Sequence, residues 1–289
     1  MSVNKVIIQG YPGSFHDMAC NAYFNLHDNH LIPADSFNIL ADRLTQDKSI
    51  DYGVMAIENS IAGSILQNYK IIKDNQLSII GEIYLRIQHC LMCHPESTIS
   101  DIKEVHSHVM AINQCRNYLR QFPDIKLINS EDTALSAKHI KDKQSTHTAA
   151  IASKRAAQIY GLKILQEGIE DSKQNYTRFF VVQKAKTLQT EGNKASISVR
   201  LQHEQGALMQ VLQGIYHHNI NLSKLQSFPV VGQLSEYFFH IDLEFDKVQD
   251  YHNCLTDIKS QALEIVEFGI YKKADISAAL RQESMNIML

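Results

Sequence analysis

The sequence predicts an α/β body followed by a smaller α+β unit. Three observations carry this. Strand-like and helix-like segments alternate through residue 184. A polar stretch without pattern, 185–194, interrupts them. Beyond it the order becomes strand, helix, strand, strand, helix, strand, which is the ferredoxin-like arrangement.

Each element has its own signal. Val6-Ile7-Ile8 is a short apolar run and reads as the first strand; residues 15–25 and 37–48 read as helices. Residues 52–57 form a buried strand, and 62–74 a helix with Ile61, Ile65, Tyr69 and Ile72 near one face. The run 77–93 is long enough to link two lobes. After it come strand 104–106, helix 110–121, strand 126–128, helix 132–143, strand 149–152 and helix 153–160. The last strand of the body, 177–183, follows much later and is expected to return to the first lobe, leaving a cleft between two lobes. In the second unit, 195–201 is a strand and 206–218 a helix with Leu208, Val211, Leu212, Ile215 and Tyr216 on one face. Strand 222–231 precedes a period-2 strand at 237–246, then helix 250–262 and strand 265–271. Such a sheet carries helices on one face, and its other face is expected to be free for a partner.

Composition narrows the function. The 289 residues are 44% apolar and 20% charged, so a packed core is expected. A net charge of -3 carries no nucleic-acid footprint. No window approaches the ~18 uninterrupted apolar residues of a membrane span. The N-terminus reads as a strand and lacks a signal-peptide layout, so a cytoplasmic location is expected. Five scattered cysteines, at 20, 90, 93, 115 and 254, argue against a disulfide framework. Cys90-Leu91-Met92-Cys93-His94 matches a haem-attachment pattern, but it sits on an apolar run in a chain without an export signal. His106, His108, His217 and His218 do not stand with a carboxylate at ligand spacing, so no metal is expected.

Four polar segments stand out, and each has a structural reading beside a chemical one. Gly10-Tyr11-Pro12-Gly13-Ser14 lies between strand and helix, with Ser14 and Asp17 in capping-box spacing. It is a capped turn or an anion cradle, and neither a dinucleotide fingerprint nor a P-loop. Glu58-Asn59-Ser60 follows a buried strand, where open α/β sheets place ligands, although Asn59 or Ser60 also suits a helix cap. Ser107 ends a strand and Gln114 lies one turn into the next helix; they either share a cleft wall or serve as a cap and a solvated side chain. In Asn175-Tyr176-Thr177-Arg178-Phe179, Thr177 and Arg178 face opposite ways unless the backbone bulges.

In this order and at this spacing, the four segments resemble the prephenate dehydratase family, over nearly the whole chain. The resemblance implies a two-lobed, periplasmic-binding-protein-like catalytic domain over 1–184, a linker at 185–194, an ACT regulatory domain over 195–275 and a tail at 276–289. It implies a cofactor-free carbon–oxygen lyase (a hydro-lyase) of L-phenylalanine biosynthesis, taking prephenate to phenylpyruvate with loss of carbon dioxide and water. Thr177 would hydrogen-bond the leaving hydroxyl, Glu58, if buried, would supply the proton, and Gln114 would complete the catalytic set. Ser14, Asn59, Ser60, Ser107 and Phe179 would bind substrate; Arg178 either binds a carboxylate or is structural.

Gly206-Ala207-Leu208 resembles the segment opening the first ACT helix, and with Asn221, Leu222 and Ser227 it marks the phenylalanine site that the family forms between two subunits. The family's Glu-Ser-Arg-Pro reads Gln226-Ser227-Phe228-Pro229 here. Phenylalanine feedback and an ACT domain kept for dimerisation both stand. A dimer or tetramer is implied. No chorismate mutase bundle precedes the catalytic pattern, so a monofunctional chain is expected. Arogenate is the near rival substrate; a two-lobed solute-binding or sensing protein, needing the cleft but not Thr177 or Glu58, is the rival from another class.

Overall fold

The computed structural model of the chain describes residues 5–24, 31–184, 191–230 and 236–277. The first lobe contains β1 (Val6–Gln9), α1 (Phe15–Phe24), β2 (Leu31–Ala34), α2 (Phe37–Gln46), β3 (Tyr52–Asn59), β4 (Gly63–Ser64), α3 (Leu66–Asp74) and β5 (Leu77–Arg86). The second contains β6 (Cys90–Cys93), β7 (Glu104–His108), α4 (Val109–Gln114), α5 (Arg116–Leu119), β8 (Lys126–Ser130), α6 (Thr133–Lys143), β9 (Thr148–Ala152), α7 (Lys154–Tyr160) and β10 (Lys163–Glu167). Strand β11 (Tyr176–Lys184) returns to the first lobe, between β3 and β5 in the order β2-β1-β3-β11-β5. The second sheet runs β10-β6-β9-β7-β8. The third unit, β12 (Lys194–Arg200), α8 (Ala207–His217), β13 (Asn221–Pro229), β14 (Tyr237–Glu244), α9 (Val248–Lys259) and β15 (Glu264–Tyr271), has the ferredoxin-like sheet order β13-β14-β12-β15.

The run 77–93 is two strands in two sheets, and the chain crosses between lobes at residues 87–89. The crossing is stable because its backbone groups find partners: Ile87 N–H donates to Asn175 O at 2.7 Å, and His89 N–H to Glu170 Oε2 at 2.9 Å.

Three strands were not foreseen. β2 and β10 are short edge strands without apolar alternation, and β2 holds Pro33, which only an edge tolerates. β4 arises because Asn59 Oδ1 accepts the N–H groups of Ile61 and Ala62, turning the chain back; the following helix therefore begins at Leu66, not 62. The helix expected at 110–121 breaks at Cys115, whose φ of -119° leaves the helical region.

The second face of the third sheet is not free. Phe228, Phe268 and Tyr271 share a core with Tyr69, Ile79 and Phe180 of the first lobe, and the His240 ring lies 4.4 Å from that of Tyr69. α8 and α9 cover the other face. Alternation along the strands predicted a face open to a partner; the first lobe of the same chain covers it instead. Residues 185–190 of the expected linker and the tail beyond Ser277 lie outside the described residues.

Candidate active site

The cleft between the lobes encloses about 640 Å³, within the range of small-molecule sites. The turn at Gly13 sets the distance between its walls: φ is +87°, and a Cβ would stand 2.7 Å from Ala156 Cα on α7. Ser153 Oγ donates to Gly13 O at 2.5 Å and Tyr160 Oη to Pro12 O at 2.8 Å, while Arg155 pairs with the buried Asp17 at 2.9 Å. Asp17 Oδ2 also accepts Gly13 N–H at 2.7 Å, and Ser14 Oγ accepts Asp17 N–H at 3.2 Å. Capping thus fixes the turn and the start of α1 together.

Five helices begin at the cleft. Phe15 and His16 of α1, Phe37 and Asn38 of α2, Gln67 of α3, Met110 and Ala111 of α4, and Thr133 of α6 all line it. Their N-terminal ends favour negative charge. No lysine or arginine lines the cleft among the described residues. His16 Nε2 accepts Ala56 N–H at 3.2 Å, and burial pushes its imidazole down to about 3. Burial likewise raises the Asp132 carboxyl, against the pull of backbone amides at the α6 start.

Of the residues expected from sequence, Ser14, Asn59, Gln114, Thr177 and Phe179 line the cleft. Asn59 Nδ2 stands 2.9 Å from Thr177 Oγ1 and 2.7 Å from Asn175 Oδ1. Asn175 Nδ2 donates to Gln114 Oε1 at 3.0 Å, and His89 Nε2 lies 3.0 Å from that same oxygen. Burial lowers the His89 imidazole from its ordinary value, against Gln114 and Glu170. His89 and His16 escaped sequence reasoning because a lone histidine carries no motif; Asn175 was visible in the Thr177 segment but had no partner until the fold supplied one.

Three expectations, at Glu58, Ser107 and Ser60, need correction, and the open alternative at Arg178 closes on the structural side. Glu58 does not face the cleft. β3 pairs Arg178 with Glu58 and Phe179 with Ala56, so Ile57 is an extra residue, a bulge. The bulge keeps Ile57 and Glu58 on the back of the sheet and turns Asn59 into the cleft. Glu58 instead pairs with Lys224 of β13 at 2.9 Å, half-exposed. Glu58→Gln is therefore expected to leave turnover near wild type and to cost at most ~1 kcal/mol of stability, read from turnover and urea unfolding.

Arg178 also lies on the back, because β11 alternates without interruption at this point. It is 2% exposed and bound to Glu82 at 2.6 Å and Asp242 at 2.5 Å, so it is unavailable to a substrate carboxylate. Ser107 is fully buried, donating to Ile151 O at 2.6 Å inside the second sheet. Ser60 ties β3 to β11, donating to Gln174 O at 3.0 Å and accepting Tyr176 N–H at 2.9 Å.

In the third unit, Ala207 and Leu208 line a separate hollow of about 130 Å³ with Tyr237 and Phe239. Gly206 starts α8 at φ +87°. Asn221, Leu222 and Ser227 lie on β13 and do not line that hollow. Phe228 is buried against the first lobe and stacks on Phe238.

Known proteins share this architecture. A family model described as prephenate dehydratase matches residues 6–187, both lobes and β11. The bifunctional chorismate mutase/prephenate dehydratase of Aquifex aeolicus is 32% identical over 273 residues, 93% of this chain and 74% of that protein. A prephenate dehydratase of Arthrobacter aurescens, solved in complex with L-Phe, superposes with a TM-score of 0.83 at 26% identity, covering 98% of each chain. GqqA, described as a quorum quenching acylase, superposes with a TM-score of 0.84 at 26% identity, covering 95% of this chain and all of that one. The fold alone therefore does not select a reaction. The family match spans the whole two-lobed body that builds the cleft: the chain belongs to the prephenate dehydratase family, a family of hydro-lyases.

Proposed function

We propose that the cleft converts prephenate to phenylpyruvate. The observation that carries this reading is the contact of Thr177 with Asn59 in the cleft, from segments 118 residues apart. The ring carboxylate leaves as carbon dioxide, its bonding pair enters the ring, and the hydroxyl departs from the opposite ring carbon with its own pair. The dianion becomes a monoanion, carbon dioxide and hydroxide, which takes one proton from solvent to become water.

Thr177 donates a hydrogen bond to the departing hydroxyl, where negative charge develops. Phe15, Phe37, Phe179 and Ile87 supply an apolar wall that favours loss of the ring carboxylate's charge. Helix N-termini hold the side-chain carboxylate in place of an arginine. Ser14 and Gln114 orient the ring. No step calls for a cofactor.

The third unit, residues 195–275, we read as an ACT domain that takes L-phenylalanine as effector. Its ferredoxin-like order and the Gly206-Ala207-Leu208 turn support this, as does the Arthrobacter relative solved with L-Phe. The edge strand β13 and exposed Tyr216 and Met209 of α8 support a homo-oligomer. Five free, buried cysteines fit a reducing cytoplasm, and no helix among the described residues is long and apolar enough to cross a membrane.

The test is phenylpyruvate absorbance with prephenate, beside phenylalanine release from arogenate. Turnover of prephenate is expected. Turnover of arogenate alone would move the substrate assignment to the amine; turnover of neither would favour the solute-binding reading. Added L-phenylalanine is expected to change the prephenate rate, and an unchanged rate would reduce the third unit to an assembly role.

A further inference from the structure

We infer that His89 and Asn175 are positioning residues of the dehydration: both donate to Gln114 Oε1 and so turn its amide into the cleft, and Asn175 Oδ1 takes one Asn59 proton and leaves the other for the Thr177 hydroxyl. This rests on the proposed reaction and assigns two residues to it.

The direction of these bonds is fixed from one end. Backbone N–H groups can only donate, and two of them, Ile61 at 3.0 Å and Ala62 at 2.9 Å, meet Asn59 Oδ1. That determines the Asn59 amide: its Nδ2, with two protons, faces Asn175 Oδ1 at 2.7 Å and Thr177 Oγ1 at 2.9 Å, with Tyr176 O farther off at 3.3 Å. Asn175 Oδ1 must then accept, so Asn175 Nδ2 donates to Gln114 Oε1. Gln114 Oε1 is an acceptor in turn, and the imidazole beside it carries its proton on Nε2. His89 Nδ1 is left bare, and it is a buried atom without a partner. A neutral imidazole agrees with this, since burial lowers His89 from its ordinary value.

Two consequences reach the substrate. Thr177 Oγ1 already receives an N–H and meets no other described partner, so its own proton is the one it offers. Gln114 Oε1 holds two donors, so its free NH₂ is what it presents to the cleft. Alone, a threonine hydroxyl rotates and a glutamine amide turns over at small cost. Here a reversal anywhere would set two donors or two acceptors against each other inside the protein, at a cost of a buried unsatisfied pair. The catalytic donor is thereby oriented before substrate arrives.

The experiment compares four variants, each with kcat, KM and the thermal midpoint. His89→Leu removes one donor to Gln114 Oε1. Asn175→Asp keeps the acceptor facing Asn59 but removes the donor to Gln114. His89→Gln keeps an N–H donor at the same reach. Thr177→Ala removes the group these bonds serve. Expected are losses of about 10- to 100-fold in kcat for His89→Leu and Asn175→Asp, with KM little changed, and near-complete rescue in His89→Gln.

Wild-type kcat in His89→Leu and Asn175→Asp, with Thr177→Ala inactive, overturns the inference and leaves the proposed reaction standing. So does a His89→Gln as impaired as His89→Leu, or a loss that only follows the folded fraction. If His89→Leu does not fold, Asn175→Asp decides alone. Wild-type kcat in Thr177→Ala takes Thr177 out of the mechanism and overturns the inference with it, while the proposed reaction stands.

Discussion

Thr177→Ala is expected to lower kcat by about 100- to 1,000-fold, the loss that follows removal of one donor aimed at developing charge. The fold should survive. Thr177 is nearly buried, but the Asn59 amide that loses it keeps Asn175 Oδ1 at 2.7 Å and Tyr176 O at 3.3 Å. The stability cost is then that of one hydrogen bond, about 1 kcal/mol. Thr177→Ser, which keeps the hydroxyl, should retain most of the rate. Steady-state turnover of prephenate beside a urea unfolding curve checks both. An alanine variant with wild-type kcat would take Thr177 out of the mechanism.

The second large effect is on stability. Arg178→Met should cost about 3–5 kcal/mol, the penalty for stranding buried charges. The guanidinium holds Glu82 and Asp242 together across the interface between the first lobe and the third sheet. Lys194 reaches Glu82 at 3.1 Å, and Ser196 and the Tyr271 hydroxyl complete the cluster. Without Arg178 the two carboxylates keep too little positive charge. Replacing Glu82 and Asp242 by Gln and Asn in the same variant should recover much of the loss.

The pH dependence reverses sign. Burial alone would raise the Asp242 carboxyl, but Arg178 outweighs it and holds the carboxyl well below the ordinary carboxylate range. In the wild type this pair contributes stability above about pH 3.9, and the contribution is lost as pH falls from there. In Arg178→Met burial wins and the folded-state value rises above the unfolded one. That variant should then be more stable near pH 4 than near pH 8. Urea midpoints across this range measure the two slopes, and parallel slopes would remove Arg178 as the controlling charge.

These two residues are neighbours on one strand, and they show where sequence reading stops. Their alternation was legible, and so was the choice between cleft and back for Arg178. Which face each took depended on pairing with β3. The same strand pairing explains the Glu58 error: counting alternation along β3 from Ala56 puts Glu58 in the cleft, and the bulge at Ile57 exchanges it for Asn59. Nothing in Ile57 itself signals a bulge. Ser107 failed for a related reason. Its position at a strand end was foreseen, but its hydroxyl is consumed by Ile151 of a neighbouring strand 44 residues away.

The sequence by itself determined the alternation of the body and the ferredoxin-like order of the third unit, because periodicity and turn chemistry act over a few residues. It also determined which polar clusters belong together, through their resemblance to one family. Only the tertiary structure decided which of those side chains share a cavity, that the second face of the third sheet closes on the first lobe, and that Asn175 and His89 join Thr177 through Asn59 and Gln114. Those outcomes rest on register and contact between segments more than a hundred residues apart in the case of Asn59 and Thr177, where no local pattern specifies the partner.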